Sequence, residues 1–279
     1  MTRAPGGSDP QRSTGSPRSV TARALALLAA FDVGHPRLTL TELSRRSGLP
    51  LATAHRLAAE LEQWRALERD QDGRYRIGFR LWEMGLLAPV HGRLREVALP
   101  SLLALHRATL ATVQLAAIDG FDAIYVEKLT ADSSVPVASR IGARLPLHAS
   151  GAGKAILAFQ EDTFVEALLQ SPLERFTDHT IVTGSALRRE LARIRSAGIA
   201  TSSQEYRPGS LSIAVPVLVN GLPAASIGLV SYELGSDLGV HAPALRQAAE
   251  SISARIASAG DNPFPSLQRE PETPASSIQ

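Results

Sequence analysis

The 279-residue chain contains no cysteine. That absence excludes disulfides, thiol catalysis and thiolate-bound zinc, and it fits a reducing compartment. Apolar runs are short. The densest, Ala24–Phe31, falls far below the ~20 residues that a bilayer crossing requires. Residues 1–18 hold no apolar segment of the signal-peptide kind. A cytoplasmic protein with no membrane partner is therefore expected. Lysine occurs only at Lys128 and Lys154, so arginine supplies almost all the positive charge. No internal repeat is visible at any period.

What is present is enough for a packed core: 44% of residues are hydrophobic and 20% charged. The length suits one large domain or two modest ones. Charge is distributed unevenly. Residues 1–82 carry 13 Arg and 8 acidic residues, a net of +5, whereas residues 83–279 net −3. A basic N-terminal part on a mildly acidic body suggests a polyanion-binding module on a carrier.

Residues 1–18 and 261–279, rich in Gly, Pro and Ser, read as disordered tails. Between them, Ala24, Leu25, Leu27, Leu28 and Phe31 form a helical stripe that Gly34 and Pro36 stop. Thr41 reads as the N-cap of a brief helix through Ser47, closed by Gly48. Pro50 opens the next helix, whose Ala54, Leu57, Ala58, Leu61 and Trp64 repeat at helical period. Asp72-Gly73 lies between the short extended runs Leu67–Arg69 and Arg74–Ile77, which predicts a β-hairpin. Phe79–Leu87 reads as a connecting helix, and Leu94–Thr109 as a longer one containing Pro100. The period then alternates between strand and helix without βα regularity. Strands are expected at Val113–Ile118, Ile124–Leu129, Ile199–Ser202, Ser212–Val219 and Ala225–Ser231. Helices are expected at Lys154–Phe159, Thr163–Gln170, Ala186–Ala197 and Ala242–Ala259. The body is thus α+β.

Two helices around a Gly-containing turn, followed by a hairpin, have the order of a winged helix-turn-helix. The second helix, about Leu51–Trp64, presents Ala52, His55, Arg56, Ala59 and Gln63 opposite its buried face, with Thr53 to the side. Arg56 suits a bidentate contact to guanine, and His55 a base edge or phosphate. Ala52 and Ala59 allow close approach to the groove. Arg45 and Arg46 before the turn, and Arg74 and Arg76 on the hairpin, suit phosphates.

Enzyme motifs fail on inspection. Gly153-Lys154 lacks the first Gly and the Ser or Thr of a phosphate loop, since His148 and Ala155 stand there. Ser150 is not in a G-x-S-x-G elbow. The seven His are scattered and form no metal motif. His148 reads as a structural histidine and Glu205 as a turn or salt-bridge residue. No enzyme activity, cofactor or metal is expected.

The run Thr41-Glu42-Leu43-Ser44-Arg45-Arg46-Ser47-Gly48-Leu49-Pro50, followed by Thr53-Ala54-His55-Arg56-Leu57, resembles the DNA-binding domain of the IclR family of bacterial transcriptional regulators. Asp72-Gly73-Arg74-Tyr75-Arg76-Ile77-Gly78 resembles its wing. Leu145–Ala155, and Gln204–Gly209 leading into Ser212–Val217, are similar to its effector-domain signatures. The resemblance covers about residues 19–260. It implies an α+β protein with an N-terminal winged helix-turn-helix (19–78), a linker helix (79–92) and a C-terminal GAF-like effector-binding domain (93–260), assembled as a homodimer or homotetramer. It also implies an effector pocket built from Val137, Leu145, Ser150, Gly151, Ala152, Ser202, Ser210, Ser212, Gly228 and Val230.

The loop at Ser150 could offer backbone N–H groups to a carboxylate, helped by the start of a helix near Lys154. Family members that bind small keto acids have a carboxylate where Ser202 stands and hydroxyls at Gly228 and Val230. The smaller or apolar residues here point to a larger organic acid, aromatic in kind. The expected protein is a ligand-responsive repressor on a palindromic double-stranded DNA operator. The alternative is a small-molecule sensor or metabolic enzyme whose helical domain binds protein.

Overall fold

A computed structural model describes residues 19–87, 93–130, 140–232 and 237–258. The chain divides into two compact units, 1–87 and 88–279.

In the first unit, α1 (Val20–Leu28), α2 (Leu40–Ser47) and α3 (Leu51–Gln63) precede the hairpin of β1 (Leu67–Arg69) and β2 (Tyr75–Ile77), and α4 (Phe79–Gly85) follows. The core gathers Leu27, Leu38, Leu43, Leu49, Ala54, Leu57, Ala58, Leu67 and Tyr75. Leu25, expected in the apolar stripe, is exposed, as is Trp64, over whose ring Arg80 lies at 4.2 Å. Leu38 joins the wing as an extra rung, exchanging backbone bonds of 2.9 and 2.7 Å with Tyr75.

The N-cap of α2 is Thr39, not Thr41. The Thr39 hydroxyl accepts from the Glu42 N–H, and the Glu42 carboxylate accepts from the Thr39 N–H, so two orphan donors are satisfied reciprocally. The same bonds, with Thr39 the main cause, hold the Glu42 carboxyl below its ordinary pKa. Thr39→Ala is expected to cost about 1 kcal/mol, readable by urea denaturation of this unit; an unchanged midpoint would remove the cap from the account. Gly48 closes α2 at φ +69°, a backbone state that glycine adopts without strain.

The second unit is a six-stranded antiparallel sheet between helices. Its strands are β3 (Thr112–Asp119), β4 (Asp122–Leu129), β5 (Arg144–Pro146), β6 (Ala200–Ser203), β7 (Leu211–Val219) and β8 (Leu222–Ser231), in spatial order β5-β4-β3-β8-β7-β6. Alternation decides which layer each side chain joins. Val113, Leu115, Ile213, Val215, Ile227 and Leu229 pack towards α5 (Arg95–Thr109) and α9 (Ala242–Ser258). Ala116, Tyr125 and Ala214 pack with α6 (Gly151–Leu157), α7 (Asp162–Leu169) and α8 (Gly184–Ala197).

The expected elements recur with shifted ends. Asn220 and Gly221 make the β7–β8 turn, both at positive φ. Two elements have no counterpart in the sequence reading: the three-residue β5 and a 3-10 turn at Leu238–His241. Both are shorter than the windows in which periodicity can be read. Pro100 sits inside α5. Of the expected linker, α4 covers residues up to Gly85, and residues 88–92 lie outside the described set.

Candidate functional site

In the first unit, the buried face of α3 is Ala54, Leu57 and Ala58. That leaves Ala52, His55, Arg56, Ala59 and Gln63 exposed and Thr53 half-buried at the edge. The expected reading face is therefore open. It also holds a carboxylate that the sequence reading passed over: Glu60 Oε1 accepts from Arg56 Nη1 at 3.0 Å. Their i,i+4 spacing was the available signal. An exposed pair of this kind is worth little, so Arg56 remains available to a stronger partner.

The four flanking arginines fall into different environments. Arg45 is exposed, and among the described residues no carboxylate pairs with it. Arg46 is not free as expected: its Nε donates to the Ala30 carbonyl at 2.7 Å, and its Nη2 pairs with Asp32. It thus ties α2 to the end of α1, so a phosphate contact from Arg46 would compete with these two partners. Arg74 lies 3.5 Å from Glu42, and Arg76 holds Glu68 at 2.9 and 3.2 Å. Glu68 also accepts from the Phe79 N–H at 3.1 Å, so Arg76 is partly a strut at the exit of the wing.

In the second unit, sheet register assembles a cavity. Thr112 lies opposite Val230, Val230 opposite Ser212, and Ser212 opposite Ser202. In the next row, Gln114 and Ala214 flank Gly228. These rows face α6, whose first turn comes down on β7: a Cβ added at Gly151 would stand 2.5 Å from Ser212 Oγ. Gly228 permits a second close approach, since a Cβ there would meet the Ile213 carbonyl oxygen at 2.8 Å. Leu145 arrives from β5, paired with Ala123.

One cavity is lined by Leu145, Ser150, Gly151, Ala152, Ser202 and Ser210, together with Ser212, Gly228 and Val230. Of the ten expected pocket residues, these are all but Val137, which lies outside the described residues. Their polar atoms are not equally open. Ser150 is the N-cap of α6, which starts at Gly151 and not at Lys154. Its hydroxyl accepts from the Gly153 N–H at 3.0 Å and donates to the Pro146 carbonyl at 2.9 Å. Ser210 donates to the Arg207 carbonyl at 2.7 Å. The N–H groups of Gly151 and Ala152, in the first turn of α6, have no acceptor within the helix.

The cavity is also lined by Gln114, Tyr125, Arg144, Tyr206, Arg207 and Tyr232, which sequence reasoning missed. Strand alternation offered a signal for Gln114, which is opposite in phase to Val113 and Leu115. Tyr125 lies on β4, whereas Tyr206 and Tyr232 lie outside the strands, where loop geometry brings them in and composition alone gave no signal. Arg144 is engaged by Asp119 and by Asp122, at 2.5 and 3.1 Å. Arg207 is exposed at the cavity, 5.4 Å from the Tyr206 ring, and no carboxylate among the described residues pairs with it. Burial raises the Tyr232 phenol's pKa, against the pull of Arg207.

Glu205 is the salt-bridge residue expected of it: Lys154 Nζ stands 2.5 Å from its Oε1. His148 is structural, with its Nε2 2.9 Å from the Glu174 carbonyl oxygen and its ring 5.8 Å from Phe176. Burial lowers its pKa. Among the described residues no group of three or more His, Asp or Glu could hold a metal, and no helix is long and apolar enough to cross a membrane.

A winged helix-turn-helix and, further along the chain, a helix-clad sheet holding a cavity of mixed polar and apolar lining define a ligand-responsive, DNA-binding transcription regulator. The profile described as "IclR helix-turn-helix domain" matches residues 12–71, and that described as "Bacterial transcriptional regulator IclR C-terminal" matches residues 89–254. The chain is 34% identical over 197 residues to the HTH-type transcriptional regulator XynR of Escherichia coli K12, covering 70% of this chain and 78% of that protein. It is 31% identical over 213 residues to the HTH-type transcriptional repressor AllR of the same organism, covering 75% and 78%. An IclR homologue from Microbacterium hydrocarbonoxydans, solved in complex with 4-hydroxybenzoate, superposes with a TM-score of 0.81 at 32% identity, over 86% of this chain and all of that one. The chain belongs to the IclR family of bacterial transcriptional regulators.

Proposed function

We propose that the protein is a repressor that occupies a roughly palindromic operator as a homodimer or homotetramer, and that a small aromatic acid in the C-terminal cavity controls this occupancy. The working units are residues 19–78 as reader, 79–92 as linker and 93–260 as effector domain, with the terminal segments outside both functions. The protein acts in the cytoplasm and uses neither a cofactor nor catalysis.

The observation that carries the reading is the convergence on one cavity of nine expected residues, from the start of α6, from β5, β6, β7 and β8, and from the segment before β7. The effector carboxylate is assigned to the N–H groups of Gly151 and Ala152, at the positive end of α6. Ser212 Oγ stands beside it. The ring lies against Leu145, Gly228 and Val230. Ser202, smaller than the carboxylate that keto-acid binders carry at this position, favours an effector with an apolar ring over a small keto acid. A relative named as a repressor and a homologue solved with 4-hydroxybenzoate support the same direction.

On the DNA, Arg56 reads a guanine from α3, His55 a base edge or phosphate, and Ala52 and Thr53 set the approach. Arg45, Arg74 and Arg76 hold phosphates. Arg46 holds the helix pair instead. By linkage, operator DNA must change effector affinity by the factor with which effector changes operator affinity.

The test is a titration of promoter duplex followed by fluorescence anisotropy. Affinity should fall steeply with salt as phosphate contacts release counterions. Arg56→Ala should cost about 1–3 kcal/mol and relax preference at one base position, whereas Arg74→Ala should weaken all sequences nearly equally. Undiminished base discrimination in Arg56→Ala would show that another surface does the reading.

A further inference from the structure

Behind the cavity, and not lining it, lies a buried charge cluster. Lys154 on α6 is 1% exposed, and its Nζ stands 2.5 Å from Glu205 Oε1 and 3.6 Å from Glu190 Oε1 on α8. Arg193 covers the outer side of Glu190 with two bonds of 2.8 Å. Glu205 is 8% exposed, and burial raises its pKa against the pull of Lys154. An arrangement of this kind is costly. Replacing a buried pair by apolar side chains of similar volume is often neutral or stabilising, so stability alone does not account for it.

The neighbours of the pair supply a further reason. Lys154 follows Gly151 by three residues and Ala152 by two, so anchoring it constrains the rotation and depth of the turn that faces the cavity. Glu205 immediately precedes Tyr206 and Arg207, which line the opposite wall. That wall is a small closed loop. The Gln204 N–H donates to the Ser210 carbonyl at 2.6 Å, and the Gly209 N–H to Gln204 Oε1 at 3.0 Å. Gln204 sits at φ +57°, a conformation its side chain disfavours and its surroundings must enforce. Thr177 and Thr180 hold the loop's base from outside through the Gln204 and Glu205 carbonyls, at 2.7 and 2.6 Å. Glu205 reaches from that base across to Lys154 on α6.

We infer that the Lys154–Glu205 pair is a positioning device for the effector site: it holds the loop 204–210 at a set distance from the first turn of α6, and so tunes effector affinity without touching the effector. The electrostatic attraction sets registry, which an apolar contact, being non-directional, would leave loose. The inference rests on the reading of the cavity as the effector site, but its structural part can be tested with no effector present.

The experiment is hydrogen exchange on the full-length protein, read by mass spectrometry, for wild type, Glu205→Gln and the double variant Lys154→Met/Glu205→Leu. Thermal melts run alongside. Lys154→Met alone should be severely destabilised, because it strands the Glu205 carboxylate without its cation. The double variant should recover the wild-type melting transition. If the pair serves positioning, amides from 204 to 210 should still exchange about tenfold faster in the double variant, and faster also in Glu205→Gln, with β3 and β8 unchanged. 4-Hydroxybenzoate binding, followed by calorimetry, should weaken by a similar factor relative to wild type. If wild type itself ignores 4-hydroxybenzoate, the aromatic-acid reading fails while the exchange result still decides the role of the pair. Wild-type protection of the loop in the folded double variant, or in Glu205→Gln, would overturn the inference.

Discussion

Gly78→Ala is expected to abolish DNA binding by unfolding the N-terminal unit. Gly78 joins β2 to α4, and its N–H donates to the Ala66 carbonyl at 2.7 Å. A Cβ at this position would lie 2.1 Å from the Arg65 carbonyl oxygen and 2.9 Å from the carbon that bears it. Both atoms are main chain, so no rotamer change relieves the overlap. Either the turn after α3 must move or Ile77 must leave its register with Leu67. That turn has little slack, since Arg65 already sits at φ +63°. Overpacking typically costs about 1–3 kcal/mol, and with main-chain atoms that cannot rotate away the upper end applies here. A unit of this size holds only about 3–5 kcal/mol of stability in total. Urea denaturation should therefore lose the N-terminal transition and keep the C-terminal one, with operator affinity gone. A variant that melts and binds like wild type would mean that the backbone here is softer than its contacts indicate.

The second large effect concerns the cavity. Gly151→Trp should eliminate the effector response and leave operator binding without effector unchanged. The indole has to enter the space between the first turn of α6 and β7, because the Cβ direction already points at Ser212 Oγ. Ring and carboxylate subsites are then filled by the protein itself. Effector-dependent changes in operator affinity typically span about 5–150-fold; here the ratio should fall to one. Gly151→Ala separates filling from misfolding. Its methyl needs only that the Ser212 hydroxyl rotate away, so the fold should persist and effector affinity should drop. Normal induction of Gly151→Trp would place the effector elsewhere in the molecule.

How far these sites were readable without coordinates depends on the range of the interactions that make them. The helix-turn-helix is a local object. The buried triplet of α3, the left-handed Gly48 and the Asp-Gly hairpin are set by contacts within a few residues, and all were visible as spacing. The reading face followed by subtraction. Non-local pairing was not visible. Arg46 has the composition of a phosphate ligand, yet Asp32 and Ala30 occupy it. Arg56 has the composition of a base reader, and the structure adds Glu60 beside it. In the C-terminal unit, strands were legible from alternation, but the residues that meet in the cavity come from β3, β5, β6, β7, β8 and α6. Motif resemblance named nine of them. Sheet register places Gln114 in the cavity, and loop geometry places Tyr206, Arg207 and Tyr232 there.

Composition and short-range spacing therefore determined the class of this protein: cysteine-free, basic at one end, with a second helix of the helix-turn-helix whose outward face is exposed. Local propensity and pattern suffice for that, because each contact involved closes over a few residues. Tertiary structure decided which charges are available and which are occupied, since an ion pair such as Lys154–Glu205 joins groups 51 residues apart. No pattern along the chain records such a distance. It exists only once hydrophobic burial has stacked α6 against the sheet and removed water from around the two charges.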